Sequence, residues 1–66
     1  MDVKKLKGKI VERGLNVEKL AEIIEVDRSS LYRKLYNFDK VTIGEANRIK
    51  AALELSEDEA TAIFFA

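Results

Sequence analysis

Arg28, Ser29, Tyr32, Arg33 and Tyr36 are spaced so that a helix through them carries all five on one broad side, and every one of them can donate a hydrogen bond. If Leu31 and Leu35 mark the buried side of that helix, these five face solvent, and no acidic residue of the same stretch interrupts them. Arginine can bond guanine O6 and N7 in a bidentate fashion. Serine gives or accepts, and tyrosine reaches a phosphate or packs on a thymine methyl, so the set suits the major groove of a duplex. Arg28, Ser29, Tyr32 and Arg33 are the candidates for contact with base edges. The bland reading is a solvated face for the arginines and a cover over the edge of a small core for the tyrosines.

Phosphate chemistry asks for amides at a helix start and for donors around the groove rim. Asn16 and the first turn of a helix opening at Val17 offer the amides, while Tyr36, Asn37 and Lys40, together with Lys9 and Arg13, are placed to approach flanking strands. Asp27 works against this, since a carboxylate at the start of the next helix occupies amides that a phosphate would use.

Other chemistries are poorly served. The 66 residues contain neither cysteine nor histidine, which removes disulfides, thiolate zinc sites and every nucleophilic arrangement that needs an imidazole or a thiol. Neither an enzyme nor a bound metal or cofactor is expected from scattered carboxylates without an assembled site. Twelve basic and twelve acidic residues cancel, so any attraction for a polyanion has to come from local segregation of charge. Such segregation exists. Residues 1–13 carry Lys4, Lys5, Lys7, Lys9 and Arg13 against Asp2 and Glu12, and residues 28–40 carry Arg28, Arg33, Lys34 and Lys40 against Asp39. Between them Glu18, Glu22, Glu25 and Asp27 face only Lys19, and from Glu54 onward the charges are Glu54, Glu57, Asp58 and Glu59.

The elements that must position these residues are legible from caps and apolar spacing. Val3, Leu6 and Ile10 predict a first helix over 2–13 that stops at Gly14, a residue suited to the left-handed conformation. Asn16 caps a second helix over 17–24, in which Val17, Leu20, Ala21 and Ile24 form the apolar stripe. Glu25-Val26-Asp27 make a three-residue turn, with Val26 as a plug toward the core and Asp27 as the cap of a third helix over 28–37. Thr42 with Glu45 and Ser56 with Glu59 match capping boxes. They start a fourth helix, with Ala46, Ile49 and Leu53 inward, and a fifth, with Ala60, Ile63 and Phe64 inward. No stretch alternates with strand period, so the expected fold is an all-α single domain of five helices over residues 1–66.

The run Gly14-Leu15-Asn16, Leu20-Ala21-Glu22 and Val26 through Leu35 resembles the helix-turn-helix of phage repressor and Cro-like (XRE-type) proteins, and the resemblance extends over nearly the whole chain. Thr42-Ile43-Gly44-Glu45 and the ending Ile63-Phe64-Phe65 are similar to small phage regulators of that group. The resemblance implies a compact five-helix, lambda-repressor-like domain whose third helix enters the major groove, with pairs of subunits on palindromic operators. Departures are Val17 where the family often has a phosphate-contacting glutamine, Glu25 where glycine is usual, and apolar Ile10 and Leu35 where some members bury an arginine–glutamate pair.

On this basis the expected function is sequence-specific regulation of transcription by occupancy of operator DNA. A homodimer is expected, formed in solution or only on DNA, because one helix contacts few base pairs. Phe65, with Ile23 or Val41, is the candidate subunit contact. No apolar run approaches the roughly 20 residues of a membrane span and no secretory signal is evident at residues 1–15, so a cytoplasmic location is expected. The competing reading is a protein-interaction module, an antirepressor or assembly factor, on the same scaffold.

Overall fold

Three of the helix ends are closed by one device. Gly14, Glu25 and Glu54 take positive φ values of 72°, 58° and 53°, each just after a helix. The residue that follows each then donates its amide back to a carbonyl five residues earlier: Leu15 to Ile10 at 3.0 Å, Val26 to Ala21 at 3.0 Å, and Leu55 to Lys50 at 3.0 Å. This is the Schellman arrangement, and its usual companion is an apolar contact made by the donating residue. Leu55 is buried, and Leu15 and Val26 pack against the core, so each stop also turns the chain inward.

The computed structural model describes residues 1–36 and 41–65. Among these, the chain forms five helices and no strand: α1 (Val3–Glu12), α2 (Val17–Ile24), α3 (Arg28–Tyr36), α4 (Ile43–Ala52) and α5 (Glu57–Phe64). The starts are capped by short polar side chains that accept amides left free at a helix N-terminus. Asp2 accepts from Lys5, Asn16 from Lys19, and Asp27 from Ser30 at 3.2 Å. Thr42–Glu45 and Ser56–Glu59 both close as reciprocal capping boxes, as their spacing predicts. The first helix is one residue shorter at each end than the 2–13 predicted, because Asp2 and Arg13 serve as its caps. The third reaches Tyr36, and the predicted extension to Asn37 lies outside the described residues.

Among the described residues the core is wholly apolar. Leu6 and Ile10 of α1, Val17, Leu20, Ala21 and Ile24 of α2, and Leu31 and Leu35 of α3 meet Ile49, Leu53, Leu55, Ala60 and Ile63. Packing runs from α2 to α3 and α4, and from α1 to α5. Of the pair expected inward at the end of α5, Ile63 is buried and Phe64 half-buried against the same cluster. The radius of gyration is 10.4 Å, close to the value of about 11 Å expected for a folded chain of this length. Among the described residues no helix is long and apolar enough to cross a membrane.

Polar ties join the elements around this core. The Asp2 amide donates to the Ile63 carbonyl at 2.6 Å. Arg13 donates to the carbonyls of Leu53 at 2.8 Å and Glu54 at 3.3 Å, and Arg48 to that of Ile24 at 3.2 Å. Both arginines therefore occupy C-terminal carbonyls of a neighbouring helix, where positive charge is favoured by the helix dipole.

Candidate nucleic-acid interface

Leu31 and Leu35 anchor α3 with 2% and 1% of their surfaces exposed, so the opposite side of that helix is turned to solvent. Arg28, Ser29, Tyr32, Arg33 and Tyr36 are all exposed, as their spacing predicts. α3 contributes no carboxylate to this face.

α2 does contribute one. Glu18, in its first turn, accepts from Arg28 at 2.7 Å, with both side chains more than half exposed. The absence of acids read along the third helix alone therefore does not hold for the assembled surface at this end. Asp27, Glu22 and Glu18 line one shallow groove with Arg28, Lys19 and Asn16, which leaves the α2–α3 entrance short of positive charge. An exposed pair of this kind adds little stability, at most about 1 kcal/mol, and its weight here is electrostatic.

The other end of α3 differs. The rings of Tyr32 and Tyr36 stack with centroids 5.7 Å apart and planes at 18°. The ammonium of Lys7, from α1, lies 3.8 Å from the centre of the Tyr36 ring. A cation over an aromatic face at this distance is attracted by the ring quadrupole, worth about 0.5–1 kcal/mol at an exposed site. Arg33 makes a long contact, 3.4 Å, with the Ser30 hydroxyl. Lys34, one position on, is drawn to α4, where it donates to Glu45 at 2.6 Å with both side chains mostly covered. That lysine holds the Glu45 carboxyl below the usual carboxylate range, helped by the Thr42 amide.

The residues expected at phosphate sort unevenly. Asn16 is exposed, but its side-chain oxygen already accepts from the Lys19 amide at 2.8 Å. Val17 is in the core at 8% exposure, so only its main-chain amide, which has no acceptor within the helix, can serve. Tyr36 is half exposed and well placed, whereas Asn37 and Lys40 lie outside the described residues. Lys9 and Arg13 both have partners within the chain. Lys9 pairs with Glu12 at 3.1 Å and with Glu59, and Arg13 is committed to the carbonyls after α4. For the subunit contact, Phe65 and Ile23 are exposed, at 80% and 52%, while Val41 packs against the core and is a poor candidate.

Sequence reasoning placed Lys7 in a basic first helix but not beside Tyr36. A signal was present, since Lys4 and Lys7 stand three apart and share a helix face, but nothing local says that Tyr36 lies beside them. Among the described residues no group of histidine, cysteine or carboxylate side chains is arranged to hold a metal ion. No family model matches the chain, and neither a curated protein nor a solved structure matches it.

Proposed function

We propose that the chain is a sequence-specific DNA-binding regulator of transcription of the phage or prophage repressor type, in which α2, the turn 25–27 and α3 act as a helix-turn-helix. The observation that carries this reading is the outward row Arg28, Ser29, Tyr32, Arg33 and Tyr36, held to the globule by Leu31 and Leu35. Arg28, Ser29, Tyr32 and Arg33 read base edges, and Tyr36 and the Val17 amide contact the backbone, with Asn16, Asn37 and Lys40 in the same role. The operator is double-stranded, and two copies of the chain on half-sites about 34 Å apart supply affinity that one helix lacks. The site works in the cytoplasm and without a cofactor.

Selection of bound sequences from a random duplex pool tests the proposal, since a single enriched motif is expected. On that motif Arg33→Ala is expected to cost about 1–3 kcal/mol and to relax preference at one position. Equal loss on every sequence would make Arg33 a phosphate contact instead. The acids that gather around Arg28, with zero net charge, favour the alternative of a module that binds a basic protein. Failure of any duplex to bind at low salt selects that alternative.

A further inference from the structure

Two lysines of α1 lie beside the C-terminal end of α3. Lys4 and Lys7 line one shallow hollow with Val3, Leu35 and Tyr36. Lys4 is exposed and makes no ion pair among the described residues, and Lys7 is half-buried over the Tyr36 ring. The carboxylate in this hollow, Asp2, accepts from the Lys5 amide and so is turned to the start of α1. The opposite end of α3 is the one lined by Glu18, Glu22 and Asp27.

The first of these ends carries two lysines against one carboxylate and the second two cations against three carboxylates, so a strand of phosphates is drawn more strongly to the first. The Tyr36 ring gives the contact its geometry: stacked on Tyr32, it holds the Lys7 ammonium beside the outward face of α3. A lysine pre-placed in this way loses less freedom when it meets a phosphate than one swinging from an open surface. We infer that Lys4 and Lys7 of α1, set across Tyr36, form the principal phosphate-binding edge of the molecule. The backbone of a bound duplex then runs over the α1–α3 corner in preference to the first turn of α2. This inference rests on the proposed DNA-binding role and adds residues that the spacing along α3 does not reach.

The test is the salt dependence of binding to a random-sequence duplex, read by fluorescence anisotropy on the full chain. Each phosphate contact contributes about 0.9 to the slope of log affinity against log salt, so the double variant Lys4→Gln/Lys7→Gln is expected to flatten that slope by about 1.8. Lys7→Arg is expected to keep the wild-type slope, and Tyr36→Ala to lose part of it. Lys19→Gln removes one positive charge at the α2 end and is expected to leave the slope unchanged. If wild type binds but the double variant keeps its slope, or Lys19→Gln flattens it by as much per charge removed, the inference is overturned while the DNA-binding role stands. If wild type binds no duplex at any ionic strength, both fall. Circular dichroism of each variant separates loss of contact from loss of fold.

Discussion

Glu25 and Glu54 hold left-handed backbone conformations that a residue with a Cβ adopts only at a cost of about 1 kcal/mol, and both are exposed. Glu25→Gly and Glu54→Gly are therefore each expected to raise stability by up to about 1 kcal/mol, measured as a shift in denaturant midpoint at constant slope. Gly14→Ala is the converse. An added Cβ there meets nothing within 4 Å, so its expected loss of about 1 kcal/mol comes from the φ of 72° alone. Of these three positions, Gly14 could be read from composition. Glu25 stood out only as a departure from a resembled pattern, and Glu54 carries no signal, because an acidic residue after a helix is ordinary. The outward residues of α3 were legible for a different reason: helical periodicity fixes which side chains share a face once Leu31 and Leu35 are buried. The pairs Glu18–Arg28 and Lys7–Tyr36 were not legible, since they join different helices and no local pattern encodes their approach.

Between elements, the ties that orient α3 are few enough to be removed one at a time. Glu45 both closes the capping box with the Thr42 amide, at 3.0 Å, and accepts from Lys34. Glu45→Gln keeps an acceptor for Thr42 but removes the charge, whereas Glu45→Ala removes both partners. The expected losses are about 0.5–1 kcal/mol for glutamine and about 1–2 kcal/mol for alanine, read by thermal unfolding. The alanine variant is also expected to loosen the α3–α4 contact, visible as faster amide exchange in α3 than in α2. Cap chemistry and apolar period were sufficient to place all five helices within one residue at most described ends. They said nothing of which helices touch. The packing of α2 on α4 and of α1 on α5 depends on core shape, which is a property of all the apolar side chains together.

For the molecule as a whole, the response to acid follows from two carboxylates. Glu59 is held down to about 2 from 4.5, first by Lys9 across the α1–α5 contact and then by the Ser56 amide, and Glu45 is lowered in the same direction by Lys34. Both are depressed in the folded state, so the stability they contribute is complete above about pH 4.5 and is lost as pH falls below it, toward about 2 for Glu59. Unfolding temperature is expected to drop across that window, and Glu59→Gln to flatten the drop. Lys9 is raised by Glu59 and Glu12, so its share persists below pH 10.5 and fades only above it. The clasp between the Asp2 amide and the Ile63 carbonyl has a consequence of another kind. It sets the start of α1 beside the end of α5. Joining them covalently through a short flexible peptide should distort nothing in the folded form while denying the unfolded chain much of its freedom. By loop-closure arithmetic the gain is up to about 4 kcal/mol, which a higher melting temperature of the cyclised protein would register.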